Sequence, residues 1–274
     1  MSLNRPILKL RNWIDKSKLD YKMLSLNKNA ISILEENPDK IKWDYFSYNK
    51  NAIHLLKKNY DNIDWVYLSE NPNAIEILKK NPNKINWYYL SRNKNAIELL
   101  KENLNKIGWY WYYLSENPNA IELLEENPEK INWESLSLNP NAIHLLEQNP
   151  ENINWLKLSL NPNAIHLLER NLEKINWINL SLNPNAIHLL ERNPTKIDWR
   201  NLSRNKNAIH LLKKNQDKID WYYLSANPAI FKLDYEKMKE NNQKMYEDLI
   251  KEVMKPSRVF KDPNYDYLEE LFGD

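Results

Sequence analysis

The chain has 274 residues, no Cys and a formal charge of +2, with 39 Lys and Arg against 37 Asp and Glu. The absence of Cys excludes a disulfide framework and a Cys-based zinc site and fits a reducing compartment. No run approaches the ~18 apolar residues of a membrane helix, so no membrane partner is expected.

The first residues, "MSLNRPILKLRNWIDK", interrupt their apolar positions with charge every few residues. They lack the continuous apolar core of a signal peptide, and a cytoplasmic location is expected. Residues 1–20 read as a degraded repeat unit and are expected to cap the array. From residue 21 one phrase recurs. A Leu-Ser or Phe-Ser pair ends at Ser25, Ser47, Ser69, Ser91, Ser115, Ser137, Ser159, Ser181, Ser203 and Ser225. The spacing is 22 throughout, except 24 between Ser91 and Ser115, where residues are added around Gly108–Trp111. Trp43, Trp65, Trp87, Trp133, Trp155, Trp177, Trp199 and Trp221 keep the same beat, and Tyr21 takes the Trp place in the first unit.

Residues 161–181 serve as the specimen. Asn161 reads as an N-cap, with Pro162 at the first helical position, where its missing N–H costs nothing. Lys replaces this Pro at 28, 50, 94 and 206. Ala164, Ile165, Leu167 and Leu168 fall within an arc of about 160° on a helix. His166, Arg170 and Asn163 lie opposite. Asn171 is expected to end the helix, because Asn tolerates the left-handed conformation. Lys174-Ile175 reads as a short link that buries Ile175. Asn176 then caps a second short helix with Trp177, Leu180 and Ser181 on one face. Neither helix reaches the ~12 residues needed to stand alone. Each must bury its stripe on the next copy, which makes the chain an all-α solenoid of about ten two-helix repeats. With packed helices ~8–10 Å apart, an open array would be on the order of 90–100 Å long.

One Asn opens every unit's first helix: Asn29, Asn51, Asn73, Asn95, Asn119, Asn141, Asn163, Asn185 and Asn207. Helix ends need polar partners in every unit, so the column is expected to bond the neighbouring unit as a ladder. After the array (residues 21–230), Asp234 is expected to cap a longer helix within 231–256. Its stripe of Tyr235, Met238, Met245, Leu249 and Val253 reads as a lid on the last unit, with Pro256 as its end. Residues 257–274 form an acidic, aromatic tail.

The phrases "NPNAI-x-LL" and "KI(D/N)W-x-x-LS", with the ending "NPAIFKLDYE…KPSR", resemble the short tandem-repeat proteins of large DNA viruses of protists. The resemblance covers about residues 20–260. It implies a virus-encoded repeat protein of the host cytoplasm or the virion, and it carries over no active-site residue.

Function is expected in the columns that vary. The residue after Ile in the first helix is Ser32, His54, Glu76, Glu98, Glu122, His144, His166, His188 and His210. Consecutive His residues suggest a metal site, but units ~8–10 Å apart are too widely spaced for shared ligands at ~2.0–2.1 Å. The column reads better as a contact surface. Leu138, Leu160 and Leu182 follow Ser where earlier units have Glu70, Arg92 and Glu116. With Leu156 and Ile178 they form either an exposed apolar strip or plain core. Tyr45, Tyr67, Tyr89 and Tyr113 occupy one column of the early half, with Tyr223 at the end. Tyr orders at low entropic cost and favours interfaces. Charge is banded as Lys57, Lys79, Lys101, then Glu125, Glu147, Glu169, Glu191, then Lys213.

There is no catalytic constellation: no Gly-rich phosphate loop, no Cys nucleophile and no Ser–His arrangement beyond the framework. The chain is therefore expected to be a non-enzymatic scaffold that binds a protein through Tyr45, Tyr67, Tyr89, Tyr113, Leu138, Leu160, Leu182, His144, His166, His188 and His210. No cofactor or metal is expected. A structural assembly component, with self-association, is the alternative. Single-stranded nucleic acid bound by the Tyr/Lys-rich early units ranks third, since no dominant basic stripe runs along the chain.

Overall fold

The computed structural model describes residues 6–104 and 110–255. The chain is an all-α solenoid of repeating short helices. Two compact units are separable, residues 10–231 and a smaller one of residues 1–9 with 232–274. Among the described residues no helix is long and apolar enough to cross a membrane.

The first to third and the fifth to ninth repeats each hold three elements rather than two. In the specimen a Trp helix, Trp177–Leu180, is followed by an Ile helix, Ile187–Arg192, and a 3-10 turn, Pro194–Lys196. Asn176 caps the Trp helix as expected, accepting from the Asn179 N–H at 2.9 Å. The expected link before each Trp is thus a turn of its own, with Ile175 buried behind it.

The Ile helix starts later than the sequence suggests. It begins at Ile165, with Ala164 as its N-cap and no side-chain cap bond. Asn161 is not that cap. Its Oδ1 accepts from the Asn163 N–H at 3.0 Å, while its Nδ2 donates to the carbonyls of Ser137 and Asn139 in the preceding unit, at 3.0 and 2.9 Å. The Oδ1 that would cap a helix is taken instead by the Asn163 N–H, in a turn that precedes the helix. Nor is Asn171 left-handed: its φ is −136°. It ends the helix by its side chain, which donates to the Leu167 carbonyl at 2.9 Å.

The core is a set of columns. Ala164, Leu168 and Leu180 are fully buried, as are their counterparts in the other units. Ser181 donates from Oγ to the Trp177 carbonyl at 2.8 Å and accepts from the Asp198 N–H at 2.9 Å, tying one Trp helix to the next. Lys174, at the end of the turn, lies over Trp155 at the start of the same repeat, 4.6 Å from the ring centre, a cation–π contact. The expected Asn ladder is present. Asn163 Nδ2 donates to the Pro140 carbonyl at 2.9 Å, and Asn51 donates likewise to Lys28 at 2.8 Å.

The array has no bare end face. The framework contacts made along the array recur between its two ends. Asn27 Nδ2 donates to the carbonyls of Ser225 and Asn227 at 2.9 and 3.0 Å. Asn29 donates to Pro228 at 2.9 Å, the Asp20 N–H donates to Ser225 Oγ at 2.9 Å, and Lys18 lies 5.1 Å from the centre of Trp221. Within residues 10–231 the solenoid is a closed circuit, not the open rod expected from the spacing. The last unit is composite. Its first half, Trp221–Ser225 with the turn Pro228–Ile230, comes from one end of the array. Its second half comes from the other end: the turn Lys16–Lys18, buried Leu19 and the cap Asp20. Arg11 seals the joint, its N–H donating to Ile230 at 2.9 Å and its Nε to Ala229 at 2.7 Å. Residues expected as a cap are therefore part of a repeat. Strands β1 (Leu8–Leu10) and β2 (Phe231–Leu233) form a two-stranded sheet.

In the smaller unit Asp234 caps the long helix Tyr235–Val253, and Lys9 pairs with Asp234 at 2.9 Å and Glu236 at 2.8 Å. The stripe expected to be covered is not. No residue of this helix is buried, and Tyr235, Met245, Leu249 and Val253 are all exposed. The insertion at Gly108 and Trp109, the expected helix end at Pro256 and the tail 257–274 lie outside the described residues.

Candidate functional site: the inner wall

Closure gives the solenoid an inside. At 100° per residue, the first, second and fifth residues after each Trp share one face of the Trp helix, while Trp, Leu and Ser turn to the core. The fifth of these is the residue after Ser. Tyr48, in the second unit, is within electrostatic reach of Arg92, Glu116 and Arg204, which belong to the fourth, fifth and ninth units. Side chains two or three steps apart on a circuit approach one another only across its interior. This column therefore points inward, and the face that carries it is the inner wall.

Two of the expected surfaces lie on that wall. The tyrosines touch from unit to unit: Tyr45 stacks on Tyr67 and Tyr67 meets Tyr89 at a tilt, each with ring centres 6.0 Å apart. Tyr88 then bridges, 5.1 Å from Tyr89 and 4.2 Å from Tyr113, and its hydroxyl bonds that of Tyr113. That bond, with burial, pushes the Tyr113 hydroxyl up to about 12. Burial also raises Tyr67. Leu138, Leu160 and Leu182 continue the wall in the sixth to eighth units and are half-buried, neither open strip nor full core. Leu156 and Ile178, one turn earlier on the same face, are more open, at 50 % and 57 % exposed.

Beside the Tyr arc, in the third to fifth units, sits a charge cluster that the residue pattern did not single out. Arg92 lies between Glu70 at 3.4 Å and Glu116 at 3.1 Å. Burial opposes the Arg92 charge, but Glu116 and Glu70 outweigh it and hold the guanidinium protonated. The Glu70 side chain is 12 % exposed, and its desolvation exceeds its share of Arg92, so its pKa is raised. Burial likewise raises the Tyr48 hydroxyl although 38 % of the residue stays accessible. That combination describes a group crowded by neighbours yet open to a cavity. A cavity of about 250 Å³ is indeed lined by Leu26, Tyr48 and Ala226 from this column and by Lys28, Lys50, Pro72 and Pro228 from the column beside it.

The histidines are elsewhere. Each sits on an Ile helix and meets a Glu of the preceding unit: His54 with Glu35 and His144 with Glu125 at 3.1 Å, and His166 with Glu147, His188 with Glu169 and His210 with Glu191 at 2.9 Å. Lys101 meets Glu122 at 2.8 Å in the same way. The Glu band and the later His column are thus two halves of one inter-unit pairing, and Lys101 with Glu122 makes the same kind of contact. Lys101 is followed by a unit that carries Glu, and Glu125, Glu147, Glu169 and Glu191 are each followed by a unit that carries His. An offset of 19 residues between the two columns would have revealed it. Among the described residues no three His, Cys, Asp or Glu side chains are placed to hold a metal ion.

No family model, no curated protein and no solved structure matches the chain.

Proposed function

We propose that the chain is a non-enzymatic scaffold that holds another protein on its inner wall. The observation that carries this is the placement of the Tyr arc and the Leu arc on one continuous face. Tyrosines stacked on one another are pre-ordered, so a partner meets aromatic area at little entropic cost. The adjoining Leu138, Leu160 and Leu182 would take its apolar groups. The His column, already engaged with Glu, fits a role in joining units. Closure disfavours the building-block alternative, because no bare repeat face remains to recruit another copy end to end. A nucleic-acid strand is disfavoured by Glu70 and Glu116 within the wall. The resemblance to viral repeat proteins would place the scaffold in the cytoplasm of an infected host cell or in the virion.

The test is capture of partners by the purified chain, repeated with Tyr67→Ala, Tyr89→Ala and Tyr113→Ala combined, and with Leu138→Ser, Leu160→Ser and Leu182→Ser combined. Each set is expected to lose the partner while His166→Ala keeps it. Full capture by both sets would remove the wall as the binding face.

A further inference from the structure

At the residue after each buried Asn the described units carry Pro72, Pro118, Pro140, Pro162, Pro184 and Pro228, and Lys at 28, 50, 94 and 206. In the sequence these four lysines look like tolerated substitutes for Pro at a turn. The closed circuit changes their meaning. They stand in the first, second, fourth and ninth units, beside the column that converges on the interior, and Lys28 and Lys50 line the 250 Å³ cavity directly. Lys94 and Lys206 are within electrostatic reach of Lys50 although two and three units away. Their backbones are pinned. The carbonyls of Lys28, Lys50 and Lys94 each accept a side-chain bond from the following unit at 2.8 Å. Their ammonium groups have no carboxylate partner among the described residues, whereas Arg92 has two. Burial, and then Lys28, Lys94 and Lys206, lower the pKa of Lys50.

Like charges gathered without counter-charge are a standing cost to the folded chain, and an anion bound among them would relieve it. We propose that this mouth of the interior is a binding site for a small anion carrying several phosphate groups, held by Lys28, Lys50, Lys94 and Lys206. The ligand is small because the cavity is small. It is multiply charged because Lys28 and Lys50 line the cavity and Lys94 and Lys206 stand within electrostatic reach of Lys50. Phosphates match point-charge lysines without the planar pairing that a carboxylate takes from Arg. Leu26, Tyr48 and Ala226 form an apolar floor beneath the lysines, where an organic group attached to the phosphates would rest. The site does not depend on the protein-binding reading, since it uses none of the stacked tyrosines.

Calorimetry of the full chain against tripolyphosphate tests it. One molecule is expected to bind per chain, with affinity falling steeply as salt rises. Lys50→Met and Lys94→Met are each expected to weaken binding about tenfold, and Lys57→Met and Lys213→Met, on the Ile helices, to leave it unchanged. Lys50→Met relieves repulsion and is expected to melt no lower than the parent, which separates lost binding from lost folding. ATP distinguishes a bare phosphate chain from a phosphorylated organic ligand. Binding tighter than tripolyphosphate and weakened by Tyr48→Ala assigns the latter, and equal binding assigns the former. No binding at low salt, equal weakening by the Ile-helix lysines, or tighter binding of an oligoglutamate peptide would overturn the proposal.

Discussion

Asn161 shows how much one side chain carries here. It is fully buried, donates to two carbonyls of the unit before it and accepts from the Asn163 N–H two residues on. Replacing it with Ala would leave the Ser137 carbonyl and the Asn163 N–H without that partner, while the Asn139 carbonyl keeps the Ala142 N–H. Asn161→Ala is expected to lower unfolding stability by about 3 kcal/mol, read from urea denaturation. Asn161→Asp is expected to be worse, because it sets an acceptor against two carbonyls. By contrast Lys101 and Glu122 meet at the surface. A double-mutant cycle on that pair is expected to return a coupling far smaller than the loss at Asn161. Lys50 gives a pH signature. Its folded pKa lies below its unfolded value, so between the two the native state holds fewer protons and stability rises with pH. The deficit relative to Lys50→Met should be full below the folded pKa and shrink as pH climbs toward 10.5, in thermal melts of the two proteins. A constant difference across that range would mean that neither burial nor its three lysine neighbours lowers the pKa of Lys50.

At the scale of the element, no described helix of the array exceeds six residues, about half the length needed for independent stability. A peptide of residues 153–183, one unit and its joints, is therefore expected to show no cooperative melt by circular dichroism. The helices themselves were legible. Asn176 capped where its position demanded, and Ala164 and Leu168 were buried where the 3.6-residue period placed them. Their starts were not. The spacing shows that Asn161 stands near a helix start, but not that its Oδ1 goes to the Asn163 N–H two residues on while its Nδ2 crosses to Ser137. The 3-10 turn at Leu172–Lys174 escaped for a similar reason: three residues show no period. The wall was half legible. The Tyr and Leu columns were visible as columns, but that they share a face with Glu70, Arg92 and Glu116 depends on the Trp helix being the inner layer, which only packing decides.

For the molecule as a whole, periodicity determined which units are neighbours and left open the rotation between them. That rotation decides whether ten units make a rod or a circuit. A trace of the answer lay in the termini of the array. Residues 15–20 carry the second half of a unit and residues 221–230 the first half, so each end is the complement of the other. An open solenoid frays from its ends, but a circuit has none. Deleting residues 1–19 would remove the second half of the composite unit, with Lys18 and Leu19. It is expected to lower the melting temperature and broaden the transition, with unfolding that starts at the joint.

Closure itself can be tested by proximity. The chain has no Cys, so a pair can be introduced cleanly, with Lys22→Cys in the first unit and Tyr222→Cys in the tenth. A short bismaleimide should join them within one chain as readily as it joins Lys22→Cys to Asp44→Cys in adjacent units. Efficient coupling of the 22/44 pair with none for the 22/222 pair would contradict the closed circuit, and the inner wall with it.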